Sequence, residues 1–115
     1  MDPRVTGVLH LIRRNPRTRL RDPANAAARN DLAIGYSKIG LLLDATGKTA
    51  EGLAEQQRAT DIHRGLAAAD PISSKMKAEL ASDHNREATL QAKLGMREQS
   101  LGNHARAVEI SRELT

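Results

Sequence analysis

Apolar residues recur at three- and four-residue steps along most of this chain, a spacing that is typical of amphipathic α-helices. In the clearest set, Leu32, Tyr36, Ile39 and Leu43 fall on one side of a helix. Similar sets lie near the N-terminus and on both sides of residue 70. The pattern therefore predicts an all-α protein.

Proline and glycine mark the predicted helix boundaries. Asp-Pro pairs at 2–3, 22–23 and 70–71 combine a capping residue with a proline that suits the first turn of a helix. The first helix is expected to end before Pro16, and Gly47 is expected to end the second as a C-terminal cap.

The later boundaries follow from the same signals. Thr49 is predicted to cap the third helix, which runs to about residue 69, and the fourth is predicted to begin near Ser73 or Ser74. Residues 82–86 are polar and compete locally for backbone hydrogen bonds, so we expect a kink or fraying there.

One short pattern occurs twice. An apolar residue and a glycine are followed seven positions later by a second glycine, and five residues beyond that by a small residue. This is the spacing of a helix, a tight turn and a second helix packed closely on the first. The pattern comprises Tyr36, Ile39, Gly40, Leu43, Gly47 and Gly52 in one copy, and Leu94, Gly95, Gly102 and Ala107 in the other.

These residues resemble those of tetratricopeptide repeats, and the resemblance covers about residues 22–114. It implies antiparallel helix-turn-helix units, one at about 22–69 and one at about 70–115, in a domain spanning 22–115. Residues 1–21 would form an additional N-terminal helix and a basic connector. The long helices resemble the divergent repeats appended to large bacterial signalling proteins such as serine/threonine kinases.

The two copies align in two registers. An offset of 48 residues matches the Asp-Pro pairs and places the second turn at Gly95, whereas an offset of 55 matches the glycine pattern and places it at Gly102. We favour Gly102, because the residues around it resemble the turn of a tetratricopeptide unit more closely. The last helix would then span about 103–114.

Gly40, Gly52 and Gly95 fall inside the proposed helices, where each costs up to ~1 kcal/mol relative to alanine. Close approach of two helix backbones would offset that cost, so we expect these glycines at helix crossings. The alternative is that they mark loops and that the helices are shorter.

The positive charge of the chain lies near the N-terminus. Residues 1–23 carry six arginines and two aspartates, whereas residues 24–115 carry twelve basic and twelve acidic side chains. Such an arm can attract phosphates or acidic surfaces, or it can simply solvate a short helix. The candidate contacts are Arg13, Arg14, Arg17 and Arg19.

No segment approaches the roughly 20 apolar residues needed to span a bilayer, and polar residues interrupt the apolar stretch 5–12, which is followed by arginines rather than a cleavage-like site. Together with the lack of cysteine, this predicts a cytoplasmic protein without membrane insertion. Tyr36 is the sole aromatic residue, so the core is expected to be modest.

Recognisable catalytic motifs are missing from the sequence. Residues 47–49 resemble the end of a phosphate-binding loop, but Leu42 occupies the position of its first glycine. The four histidines share no short metal-ligand spacing and are predicted to lie on the surface; they are His10, His63, His84 and His104. We therefore expect no enzyme activity, no cofactor and no metal.

The resemblance implies a scaffold that binds a peptide or helix of another protein through a groove. The groove positions that it implies are Ser37, Leu41, Asp44, Ala92, Met96 and Gln99. The same positions could instead be buried against a neighbouring repeat or a second subunit. Because about three repeats usually close a core, an exposed apolar flank would favour a homodimer. The rival function is nucleic-acid binding by the arginine arm.

Overall fold

The structure, a computed structural model, describes residues 23–114, which form four helices and no strand. The all-α class is confirmed. The predicted N-terminal helix and the arginines at positions 13, 14, 17 and 19 lie outside the described residues. The helices are α1 (Pro23–Ala45), α2 (Thr49–Ala69), α3 (Ser74–Lys93) and α4 (Arg97–Glu113).

Each helix packs against the next one along the chain. The connections are only three or four residues long, and such short connections make neighbouring helices antiparallel. Helices α1 and α3 therefore run in the same direction, and α2 packs against both of them. The arrangement is a helical repeat.

The α1–α2 and α3–α4 turns have the same geometry. Gly47 has a φ of 86° and Gly95 a φ of 77°, in the left-handed region that favours glycine. In both turns the amide that follows the glycine donates to the carbonyl oxygen five residues earlier, at 2.8 Å. This is a Schellman motif, and its two copies are 48 residues apart.

The second turn is thus at Gly95, and the prediction of a turn at Gly102 was wrong. Gly95 closes α3 instead of lying inside a helix, and the preceding Leu94 is a partly exposed cap. Gly102 lies in the second turn of α4, where a Cβ would meet nothing within 4 Å. Although Gly102 belongs to the repeated pattern, it therefore marks no close approach between helices.

The two remaining helix glycines meet where α1 crosses α2. A Cβ on Gly40 would lie 2.8 Å from the carbonyl oxygen of Gly52, and one on Gly52 would lie 2.6 Å from that of Gly40. Forty-eight residues later the equivalent positions hold Ala88 and Ser100, and the Ser100 hydroxyl donates to the Ala88 carbonyl at 2.8 Å. Both helix pairs therefore cross through small residues.

The apolar core is small, as Leu32, Ala33, Tyr36 and Ala59 form its main cluster with Ile62 packed against it. Of the other proposed packing positions, Ala107 is buried, and Ile39 and Leu43 are half-buried. Among residues 25–114, eleven polar or charged residues are buried beside ten apolar ones. Polar contacts must therefore hold much of the interior together.

Two local predictions about helix ends and continuity were wrong. Lys48, not Thr49, is the N-cap of α2, and the Thr49 hydroxyl donates to Asp44 at 2.8 Å. Helix α3 continues through residues 82–86 without a break, because Asp83 and His84 are buried there and find partners on other helices.

Within residues 23–114, no helix has the length and apolar character required to cross a membrane. The cytoplasmic location stays a prediction.

We expect Gly40→Ala to lower the melting temperature, because the new methyl group would press on a backbone oxygen that cannot rotate away. Overpacking of this kind costs about 1–3 kcal/mol. The matched control is Gly102→Ala, which should raise stability by up to ~1 kcal/mol, since its position is open and alanine is the better helix former. Thermal unfolding followed by circular dichroism measures both, and equal changes would contradict the crossing.

Candidate functional site

A buried polar network joins α1, α2 and α3. At its centre is His63 of α2, whose Nδ1 contacts the carboxylate of Asp83 on α3 and whose Nε2 lies 2.8 Å from Oδ1 of Asn30 on α1. The His63 side chain is 1% exposed and that of Asp83 is 0% exposed. One side chain from each of three helices thus meets at a single imidazole ring.

The partners of His63 define its hydrogen bonds. The Asp83 carboxylate is an acceptor, so His63 Nδ1 donates to it, while the Asn30 amide partners the other ring nitrogen. A carboxylate at this depth loses its contact with water, which is costly. Further hydrogen bonds are therefore needed to hold Asp83 in place.

Those further bonds come from α2 and α1. Gln56 Nε2 donates to the second oxygen of Asp83 at 3.2 Å, and Gln56 Oε1 accepts from the Ser37 hydroxyl at 3.0 Å. An Arg86 guanidinium nitrogen lies 3.6 Å from the same carboxylate oxygen. The network therefore runs without a break from α1 through α2 to α3.

A second polar cluster joins α3 to α4. The His84 ring, in a residue that is 3% exposed, donates from Nδ1 to Asn103 Oδ1 at 2.9 Å, and Asn103 Nδ2 donates to Gln91 at 2.7 Å. Burial lowers the pKa of His84, although the bond to Asn103 opposes that shift. Burial likewise raises the pKa of Glu87, whose carboxylate lies 3.7 Å from the same ring. Burial thus favours the neutral form of both groups.

A groove lies over the first network. It consists of two cavities, of about 310 and 190 Å³, which share Leu41 and Arg86 and therefore adjoin. Helices α1 and α3 form its walls, and Gln56 and His63 of α2 lie at its floor. We call it the α1–α3 groove; its wall residues are Ile34, Ser37, Lys38, Leu41 and Asp44 on α1, and Glu79, Asn85, Arg86, Thr89 and Leu90 on α3.

An ion pair links the walls at one end of the groove. Lys93 Nζ, in the last turn of α3, donates to Asp44 Oδ2, near the end of α1, at 2.6 Å. The hydrogen bond from Lys93, followed by that from Thr49, lowers the pKa of Asp44. This contact ties together the C-terminal ends of the two wall helices.

A larger cavity, of about 570 Å³, lies at the other end of α1, between Ala27, Leu66 and Ile72. Its lining is mostly apolar. The α1–α3 groove is the better candidate for a specific site, because charged and apolar side chains converge there over a buried polar floor.

The groove positions implied for the first repeat all lie along the α1–α3 groove. Leu41 is 54% exposed, Ser37 is buried against the floor, and Asp44 lies at the end where Lys93 links the two walls. The structure therefore places the three positions of the first repeat along one groove.

The positions implied for the second repeat do not line the groove. Met96 is the N-cap of α4, Gln99 lies in the first turn of that helix, and Ala92 is exposed near the end of α3. These positions were derived with the offset of 55 residues, which is seven larger than the offset of 48 seen in the structure. With the correct offset of 48, the counterparts of Ser37 and Leu41 are Asn85 and Thr89, which do line it.

The prediction of surface histidines was wrong for His63 and His84, which are both buried. Their partners are about twenty residues away on other helices, and no local spacing shows such a pairing. A signal did exist for His63: it lies four residues after Ala59 and three before Leu66, on the buried side of α2.

Comparisons with protein-family models, curated proteins and solved structures find no match for this chain. No group of three potential metal ligands converges in the portion of the chain that the structure describes.

We expect Asp83→Leu to destabilise the protein by about 1–3 kcal/mol, because it leaves the buried His63 Nδ1 without its hydrogen-bond partner. The double variant His63→Leu with Asp83→Leu should cost less than the sum of the two single changes, since neither member of the pair is then left without the other. Urea unfolding of the four proteins measures the coupling. Strictly additive losses would contradict a buried hydrogen bond between the two side chains.

The low pKa of His84 predicts a pH dependence of stability. The unfolded chain binds a proton near the ordinary pKa of 6.5, while the folded state resists protonation. The contribution of His84 is therefore present above that pKa and is lost as the pH falls through the lower, folded-state pKa. Urea unfolding between about pH 8 and about pH 5.5 should show a smaller loss for His84→Gln than for the unchanged protein. Identical losses would contradict the assignment.

Proposed function

We propose that this chain is a non-catalytic interaction module, similar to tetratricopeptide repeats, that binds a peptide or helix of a partner protein in the α1–α3 groove. The observation that carries the proposal is the groove itself, which presents the exposed Leu41 between charged side chains on two parallel helices. Concave sites of this kind combine apolar contact area with a few polar groups that orient the ligand.

The floor of the groove supports the proposal because it is already organised. Ser37, Gln56 and Asp83 bond to one another across three helices, so the walls are held in place before a partner arrives. A preformed site avoids part of the ordering cost of association.

The same floor supports a role without catalysis. Both nitrogens of His63 are engaged, one by Asp83 and one by Asn30, and the ring is buried. Neither nitrogen is positioned to exchange a proton with a bound molecule, as a general acid or base must.

The alternatives receive less support. Nucleic-acid binding relies on arginines outside the described residues, and the remainder of the chain is neutral in charge.

On α4, Leu101 and Val108 are 60% and 50% exposed, which leaves an apolar surface on that helix. The homodimer stays a prediction, since no contact identifies what covers that surface.

Site-specific photo-crosslinking tests the proposal. A benzophenone amino acid is placed at Leu41, inside the groove, or at Leu101, which is similarly exposed but lies on α4, and each protein is irradiated in native lysate. We expect one discrete product from position 41, with the crosslinked partner segment identifiable by mass spectrometry. A product from position 101 alone would move the binding surface to α4.

A further inference from the structure

We infer that the α1–α3 groove selects a partner segment by one acidic side chain, an Asp or Glu held between Arg86 and Lys38 beside an apolar residue that contacts Leu41. This inference rests on the proposed function and gives the chemistry of its ligand.

Arg86 is placed to bind a carboxylate. Its side chain is 44% exposed and lines both cavities of the groove. Within residues 23–114 its one ionic contact is the 3.6 Å approach to Asp83, which exceeds hydrogen-bond length. The guanidinium thus retains donors for a ligand, and its planar fork matches the two oxygens of a carboxylate.

Most of the charged side chains that a ligand can contact around Arg86 are basic. Asp44 is paired with Lys93, and the Asp83 carboxylate is fully buried and already accepts from His63 and Gln56. The charged wall residues left for a ligand are Arg86 and Lys38 against Glu79, and neither Lys38 nor Glu79 forms an ion pair among residues 23–114. One negative charge on the ligand would balance this set.

The neighbouring apolar contact is set by Leu41. Both Leu41 and Arg86 line the two cavities, so an apolar side chain and a carboxylate on adjacent positions of one segment can reach them together. Arg86 also lies where the cavities join, not at an end of the groove. A ligand can therefore extend to both sides of it, which favours an internal acidic residue over a C-terminal carboxylate.

The test uses a phage-displayed library of random 12-residue peptides, selected on the unchanged protein. Peptides that lose binding to Leu41→Gln but retain it on Leu101→Gln are groove ligands, because both leucines are exposed and only the first lines the groove. We expect these ligands to be enriched in Asp or Glu next to an apolar residue.

Affinities of the selected peptides then report the role of each charge. Arg86→Gln should weaken binding roughly tenfold and Lys38→Gln about threefold, whereas Glu79→Gln should strengthen it about twofold. Arg86→Lys keeps the charge but loses the fork, so its affinity should lie between those of the unchanged protein and Arg86→Gln. Circular dichroism of each variant checks that the helices are retained.

The outcomes separate the two proposals. Groove ligands without acidic residues would overturn the acidic preference, and so would ligands whose affinity is unchanged by Arg86→Gln and Lys38→Gln. Either result would leave the proposed interaction groove in place. Tighter binding by Arg86→Gln together with weaker binding by Glu79→Gln would identify a basic ligand. If no selected peptide depends on Leu41, the groove function fails and the inference fails with it.

Discussion

The buried pair of His63 and Asp83 is the interaction on which the helix arrangement depends. Among residues 25–114, the apolar core provides few large side chains, and buried polar residues are as numerous as buried apolar ones. The Asp83 carboxylate accepts from both His63 and Gln56, and His63 reaches back to Asn30, so one residue of α3 is fixed against α2 and, through it, α1. Apolar contacts alone allow one helix to slide along another. Directional hydrogen bonds to a buried carboxylate favour a single alignment of the helices.

The groove depends on that alignment. The buried network forms the floor of the groove. Its walls are α1 and α3, which the network connects through α2. The side chains that bind the floor together, such as Ser37 and Gln56, are buried, while those offered to a ligand, such as Lys38, Leu41 and Arg86, are exposed or half-exposed. The residues that hold the floor together therefore differ from those that the proposed binding would use, so substitutions at the exposed positions need not disturb the fold.

Most of the helix layout could be predicted from the sequence because proline, glycine and apolar spacing act locally. The second turn was misplaced because Gly95 and Gly102 both follow a leucine, and two repeat offsets, of 48 and 55 residues, each selected one of them. The positive φ of Gly95 decides between the two. That error moved half of the predicted groove by seven residues. The network was missed for a different reason: Asp83 and His63 are distant in sequence, and a polar residue that finds a buried partner looks like a surface residue.

The ion pair of Lys93 and Asp44 makes one end of the groove more sensitive to salt than its floor. The lysine is half-exposed, so dissolved ions screen this pair over a Debye length of about 8 Å at physiological salt, whereas the dry pair of His63 and Asp83 is screened far less. Rising ionic strength is therefore expected to weaken the link between the C-terminal ends of α1 and α3 more than the hydrogen bonds beneath the groove. The Lys93 end is thus the salt-sensitive part of the groove, and its buried floor is the salt-insensitive part.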